Sequence, residues 1–219
     1  MNRTKIEWAD YTWNPIKGLC PEACWYCYAR RMYQRFGLDP TPRLELSGGT
    51  PDLYSTPSRV FVCSTFEIFH PVADQWRDEI FMHMAGLKHT FIILTKRPEL
   101  IDRAMPDNVW LGVSVTGEGN VDYRRVLALQ NAEARVRFVS MEPLLDDPCV
   151  FDLFSEFRPD WIILGRLTGH GHKHDPGQLV MDDIRMYAGQ EDVPLFVKNN
   201  LAYIWPGPLI QEYPKDKKP

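Results

Sequence analysis

The sequence predicts an α/β fold with parallel strands, in the form of a partial or compact (β/α) TIM-like barrel. Short apolar runs rich in β-branched residues alternate with longer segments of helical periodicity. The runs are hydrophobic almost throughout, which is typical of strands covered on both faces. About seven such runs fit into 219 residues, which leaves little room for a generously decorated eight-unit barrel.

The strands are predicted in chain order from the apolar runs. The first lies near residues 11–16, and the others at 59–64, 91–95, 109–115, 136–140, 161–165 and 194–198. Helices are predicted at 27–36, 71–88, 97–104, 120–130 and 181–188. In the second of these, Trp76, Ile80 and Met84 recur near a helical period. This alternation implies parallel strands joined by right-handed crossovers.

We expect one barrel domain over residues 1–205 and a Pro/Lys-rich tail over 206–219, extended and exposed to solvent. Residues 37–58, rich in Pro, Gly, Ser and Thr, are predicted to form a long loop. Such a loop either covers a functional site or is an irregular surface connection.

Composition limits the function classes. Lys and Arg number 25 against 29 Asp and Glu, a net charge of −4, which disfavours a dedicated nucleic-acid-coating protein but leaves a local basic groove open. No segment approaches the run of about 20 apolar residues that a membrane span needs. The first residues lack the apolar core of a signal peptide, so a cytoplasmic protein is expected.

Three of the five cysteines fall within eight residues, with the spacing Cys20-x3-Cys24-x2-Cys27. Clustered thiols in a reducing compartment more often hold a metal than a disulfide. Three thiolates can each bind one iron of a 4Fe-4S cluster, which leaves the fourth iron open to a substrate or cofactor. Two alternatives remain: a zinc site completed by His170, His172 or His174, and simple packing in a buried turn.

The two other cysteines are isolated in the sequence. Cys63 lies within an apolar run and is predicted to be a buried hydrophobic residue. The run from His170 to Asp175 is predicted to be a flexible loop over the barrel mouth, with a metal site as the alternative.

The pattern formed by Cys20, Cys24, Tyr26 and Cys27 resembles the Cys-x3-Cys-x-aromatic-Cys motif of the radical S-adenosylmethionine superfamily. That resemblance implies a 4Fe-4S cluster, S-adenosyl-L-methionine, an electron donor and a 5′-deoxyadenosyl radical that abstracts hydrogen from substrate. A closer resemblance is to a phage- and prophage-associated three-cysteine family of largely unknown function. Its motifs are Thr4-Lys5-Ile6-Glu7-Trp8, Thr12-Trp13-Asn14-Pro15, Cys27-Tyr28-Ala29-Arg30, Leu94-Thr95-Lys96-Arg97-Pro98, Asn108-Val109-Trp110-Leu111-Gly112-Val113-Ser114 and Glu142-Pro143-Leu144-Leu145.

The resemblance also implies roles for polar residues at the strand ends, which converge on one mouth of a parallel barrel. Ser64 or Glu67 would contact the methionine amino group and Ser114 the ribose, with Tyr26 beside the cofactor. Glu142 is a candidate partner of a ribose or substrate, or a member of a local ion pair. The superfamily's frequent Gly-Gly-Glu is missing after the second strand, where Ser64-Thr65-Phe66-Glu67 stands instead. Ser and Glu at these positions could also cap the following helices.

A basic and aromatic pattern marks the predicted helix 27–36. It comprises Arg30, Arg31 and Arg35 among Tyr28, Tyr33 and Phe36. Such a pattern can bind phosphates and stack bases, although an ordinary exposed face looks the same. The sequence therefore predicts a radical S-adenosylmethionine enzyme of unidentified substrate, with nucleic acid among the candidates. The alternative is a zinc-stabilised module that binds nucleic acid or protein without catalysis.

Overall fold

A mostly parallel eight-stranded sheet organises the chain, which confirms the α/β prediction. The computed structural model describes residues 1–46 and 49–215, and Ser47, Gly48 and residues 216–219 lie outside it. Strands in the described part are β1 Asn2–Arg3, β2 Tyr11–Trp13, β3 Ile16–Lys17, β4 Arg43–Leu44, β5 Arg59–Val62, β6 Thr90–Thr95, β7 Val109–Ser114, β8 Val136–Met141, β9 Trp161–Leu164 and β10 Leu195–Val197. The α-helices are α1 Tyr28–Phe36, α2 Asp74–Met84, α3 Asn120–Gln130, α4 Val150–Leu153 and α5 Gln178–Gln190.

The strand order in the sheet is β1-β2-β5-β6-β7-β8-β9-β10. Every neighbouring pair from β2 to β10 is parallel, and β1 alone runs antiparallel, against β2. A separate antiparallel pair joins β3 to β4. All the carboxyl ends of the parallel strands therefore lie at one edge of the sheet, where ligands bind in folds of this type.

The helices cover one face of the sheet. Ile93 and Leu111 of the sheet, Ile80 of α2, Leu129 of α3 and Ile184 of α5 belong to one buried cluster. Each is fully shielded from solvent, and burial of such a side chain contributes about 1.5–3 kcal/mol. Packing of this face fixes where the strands end and so positions the residues that follow them.

The other face carries an aromatic cluster, composed of Trp8, Phe61, Phe138, Trp161 and Phe196. The ring of Trp8 lies 4.8 Å from that of Phe61 on β5 and 6.3 Å from that of Trp161 on β9. In a flat sheet these two strands would be about 19 Å apart, because each strand adds about 4.8 Å. The sheet is therefore strongly curved around Trp8.

The segment after Trp205 is tied to the sheet as far as Tyr213, although most of it is exposed as predicted. Pro206, Gly207, Pro208, Gln211 and Glu212 are exposed, and Leu209, Ile210 and Tyr213 are half-buried. The Val197 N–H donates to the Ile210 carbonyl at 2.7 Å, and the Glu212 N–H donates to the Leu195 carbonyl at 3.0 Å. The outer edge of β10 offers backbone groups that need partners, and this segment supplies them.

Three other sequence predictions differ from the structure. The helix predicted at 97–104 is only a 3-10 turn, Pro98–Leu100. The first strand is split into β2 and β3 because Pro15 lacks an N–H and restricts the residue before it. The described part of 37–58 contains β4 and a 3-10 turn, Pro51–Leu53, so it is not entirely irregular. No helix among the described residues is long and apolar enough to cross a bilayer.

Candidate functional site

A cavity of about 650 Å³ opens at the carboxyl ends of the parallel strands. Every residue that the sequence analysis assigned to a cluster or cofactor site lines it: Cys20, Cys24, Tyr26, Cys27, Ser64, Glu67, Ser114 and Glu142. These side chains come from the cysteine loop and from the ends of β5, β7 and β8. The cavity lies within the range of typical small-molecule sites.

The cysteine loop connects β3 to α1 and is held against neighbouring backbone. Gly18 has φ +100°, and a Cβ there would lie 2.5 Å from the Thr41 carbonyl oxygen, so only glycine fits this close approach. The Arg30 guanidinium donates to the Cys20 carbonyl at 3.1 Å. Cys27 is the extended residue that precedes α1, and its N–H donates to the Cys24 carbonyl at 3.1 Å.

Cys20 is half-buried in the cysteine loop, and its thiol is affected by that burial. Burial raises the pKa of the Cys20 thiol to about 11, although backbone N–H groups of Glu22 and Glu67 act in the opposite direction. The Glu67 N–H donates to Cys20 Sγ at 3.3 Å. A bound metal cation would supply the positive charge that favours the thiolate.

Glu67 joins the turn after β5 to the end of β6. Its buried carboxylate accepts hydrogen bonds from Thr95 Oγ1 at 2.7 Å, the Lys96 N–H at 2.8 Å and the Phe69 N–H at 3.2 Å. Burial raises the pKa of this carboxyl, against the effect of the three donors. Three of its roughly four acceptor positions are thus used within the protein.

Two serines lie at the inner wall of the cavity. Ser114 on β7 and Ser140 on β8 are register partners in the sheet, and both are buried. The Ser140 hydroxyl has no hydrogen-bond partner among the described residues. Buried hydroxyls are normally paired, so an unpartnered one in a cavity wall indicates a place where a ligand or water completes the hydrogen bonding.

Glu142 forms an ion pair with Lys198, which follows β10. The ion pair expected as one alternative for Glu142 is therefore present, and both side chains also line the cavity. Sequence reasoning did not assign Lys198 to the site, although its place at the end of a predicted strand was a usable signal. A Cβ on Gly165 would lie 3.0 Å from atoms of both residues, so the pair fills the space beside this glycine.

Tyr26 and Lys96 lie beside each other in the wall of the cavity. The Lys96 ammonium lies 5.5 Å from the centre of the Tyr26 ring. Burial lowers the pKa of Lys96 and raises the pKa of the Tyr26 hydroxyl. Ser64, also in the wall, donates from its hydroxyl to Asn14 Oδ1 at 3.1 Å.

Cys63 is buried, as predicted, but it lines the same cavity as the three clustered cysteines. Its backbone has φ +54°, which is uncommon for a residue with a side chain. Its N–H donates to the Trp13 carbonyl at 2.9 Å, so β2 holds it at the end of β5. Trp8, which sequence reasoning did not assign to the site, also lines the cavity.

The predicted loop after β9 lies against the cysteine loop. The rings of His170 and His174 are 5.5 and 5.4 Å from the ring of Trp25, and Arg31 donates to the Thr168 carbonyl at 3.4 Å. Within residues 1–46 and 49–215, no group of three or more His, Cys, Asp or Glu side chains is arranged to hold a metal ion.

Together these features define an α/β protein with a mostly parallel, curved sheet and a thiol-lined cavity at the carboxyl edge of its strands. The chain belongs to the DUF5131 family of proteins of unknown function, whose family model matches residues 3–205. No curated protein and no solved structure matches the chain significantly.

Proposed function

We propose that this protein is a radical S-adenosylmethionine enzyme, with its curved sheet forming a partial (β/α) barrel of the radical S-adenosylmethionine type. The observation that carries the proposal is the position of Cys20, Cys24 and Cys27. The three thiols line one cavity with the polar ends of the parallel strands, which is where barrel enzymes place their reactive groups.

The residue types of the donor set suit a 4Fe-4S cluster, although no three His, Cys, Asp or Glu side chains of the described chain are already arranged around a metal position. Three thiols supply three iron ligands and leave a fourth position for a cofactor. The Glu67 N–H that points to Cys20 Sγ is the kind of hydrogen bond that stabilises thiolate ligands and tunes their metal centre. When bound, the cluster would supply the electron that cleaves S-adenosyl-L-methionine to methionine and a 5′-deoxyadenosyl radical.

The protein's own residues would hold and orient the cofactor. Ser114 is the proposed donor to the ribose, because it is buried at the end of β7 and lines the cavity. Glu67 keeps one acceptor position for the methionine amino group after its three internal hydrogen bonds. Glu142, restrained by Lys198, would accept from a hydroxyl of cofactor or substrate.

The aromatic cluster would exclude water from the inner end of the cavity. Trp8 and Phe61 belong to both the cluster and the cavity wall. A dry wall shields reactive intermediates from side reactions, which a radical enzyme needs. We place this chemistry in the cytoplasm, where a reducing environment keeps clustered thiols free to bind iron.

Anaerobic reconstitution tests the proposal. We expect about four irons per chain and, with a strong reductant, release of 5′-deoxyadenosine and methionine from S-adenosyl-L-methionine. Cys24→Ala should abolish both iron retention and cleavage. The matched control is Cys149→Ala, because Cys149 is exposed and does not line the cavity, and this variant should behave as the native protein.

The outcome that sinks the proposal is a colourless protein with about one zinc per chain and no 5′-deoxyadenosine. That result would support the zinc-stabilised binding module instead. Equal cleavage by native protein and Cys24→Ala would also contradict a cluster held by this loop.

A further inference from the structure

We propose that a single-stranded nucleic acid binds across α1 at the cavity mouth, with phosphates on Arg31 and Arg35 and a base stacked on Trp25. This inference names a substrate class. What happens to the nucleotide that enters the cavity rests on the proposed function. The binding itself follows from the charge, exposure and placement of α1 and is measurable separately.

The charge on α1 runs against that of the whole protein. The helix, YARRMYQRF, carries three arginines and no acidic residue, whereas the chain has a net charge of −4. Arg31 and Arg35 are exposed and four residues apart, so they share one helix face. Neither forms an ion pair with an acidic side chain among the described residues, which leaves their charge for phosphates.

Large aromatic side chains stand exposed around these arginines. Trp25 is 60% exposed, Tyr28 is 53% exposed and Phe36 is 63% exposed. Buried core packing does not account for three such rings on one helix and the loop before it. Exposed aromatics between basic residues form the stacking platforms that bind single strands.

The surface continues into the cavity. Tyr28 and Arg31 belong both to this face and to the cavity wall. The charged residues of that wall within the described chain are five basic ones, Lys5, Arg31, Lys96, Arg166 and Lys198, and three acidic ones, Glu22, Glu67 and Glu142. A strand whose phosphates follow α1 would thus deliver one nucleotide into a cavity that contains basic side chains.

A single strand fits better than a duplex. A base must leave its stack before an enzyme can enclose it. In a single strand the bases are already unpaired, so less free energy is needed to unstack one of them. The loop from Thr168 to His174 contacts Arg31 and Trp25 and would border the strand on its other side. A rigid duplex would have to clear this loop before a base reached the cavity.

Fluorescence anisotropy with a short fluorescein-labelled oligonucleotide tests the inference, with DNA in one arm and RNA in the other. We expect binding that weakens as the salt concentration rises. The slope of the logarithm of the binding constant against the logarithm of the salt concentration should fall in magnitude by about 0.7 for each phosphate contact removed. Arg31→Ala combined with Arg35→Ala should therefore flatten the slope. Trp25→Leu should weaken binding about tenfold, and Trp25→Phe should restore most of it, because stacking needs only an aromatic face.

Arg124→Ala is the matched control, since Arg124 is an exposed arginine on α3 and not on α1. The inference is overturned if neither oligonucleotide binds. It is also overturned if Arg35→Ala and Arg124→Ala lose the same amount of oligonucleotide affinity. A protein that cleaves S-adenosyl-L-methionine but binds no oligonucleotide contradicts only this inference. Binding with the expected variant pattern but without cleavage contradicts only the proposed function.

Discussion

The Glu67 N–H donates to Cys20 Sγ at 3.3 Å, so the turn after β5 is tied directly to the cysteine loop. The same residue uses its carboxylate to hold the end of β6 through Thr95 and Lys96. One side chain and one backbone N–H thus set the position of a proposed iron ligand relative to two strands of the sheet.

Glu67→Gln should destabilise the fold by about 1–3 kcal/mol, because the amide replaces one acceptor oxygen by a donor that faces other donors. It should also reduce iron retention, since the turn that contacts Cys20 would be less well fixed. Urea unfolding and iron content measure the two effects. Glu79→Gln, an exposed position on α2, is the control, and equal unfolding midpoints for the two variants would refute the assigned role.

Ser114→Ala should weaken equilibrium binding of S-adenosyl-L-methionine about threefold to tenfold, the usual cost of one lost hydrogen bond. The stability of this variant should change little, because the substitution removes a single oxygen atom at the wall of a cavity. Ser155→Ala, at an exposed position outside the cavity, should bind as the native protein does. Unchanged affinity in Ser114→Ala would exclude this serine as a contact.

Gly112→Ala should destabilise the protein by about 1–3 kcal/mol through overpacking. A Cβ at Gly112 would lie 2.3 Å from the Phe138 ring, which lies over this glycine in the neighbouring strand. Adding Phe138→Leu should recover part of the loss. Gly189→Ala on α5, where nothing lies within 4 Å, should instead gain about 0.5–1 kcal/mol; a loss of stability in this helix variant would contradict the packing described.

Asp10 should make the stability depend on acid pH. Burial alone would raise the pKa of its carboxyl, but hydrogen bonds from Arg59 outweigh it and hold the pKa below 3.8. The ionised form therefore stabilises the fold above about pH 3.8, and this contribution is lost as the pH falls through the lowered pKa.

Asp10→Asn should cost about 0.5–1 kcal/mol near neutral pH, as expected for a partly exposed pair. Denaturant unfolding should be measured as a function of pH. The difference in the free energy of unfolding between Asp10→Asn and the native protein should shrink in acid. Asp107→Asn, at an exposed position, provides the control. A difference that stays constant down to pH 2 would contradict the role of ionised Asp10.

The sequence was most informative where one physical pattern acts alone. Trp161–Leu164 is apolar throughout and is an internal strand of the sheet in which every residue is buried. The cysteine loop was recognisable because thiol spacing is unusual in itself. The strand-end rule placed Ser114 and Glu142 at the correct edge of the sheet, since parallel strands force their carboxyl ends together.

Long-range packing was not predictable in the same way. The position of Trp8 inside the curved sheet depends on contacts with Phe61 and Trp161, which are far away in sequence. The partnership of Lys198 with Glu142 depends on two strands that are not neighbours in the sheet. The predicted helix 97–104 lacks a buried apolar stripe, and only one 3-10 turn, Pro98–Leu100, forms there.

The aromatic cluster also constrains the order in which parts of the chain can fold. Trp8 packs on Trp161, and Tyr213 packs on Trp161 and donates from its hydroxyl to the Glu7 carbonyl at 3.2 Å. Contacts that span so much of the sequence carry a high contact order and form slowly. The inner face of the sheet therefore stays open until residues near Tyr213 are free to pack on it, and a truncation before Leu209 would leave that face uncovered and prone to aggregation.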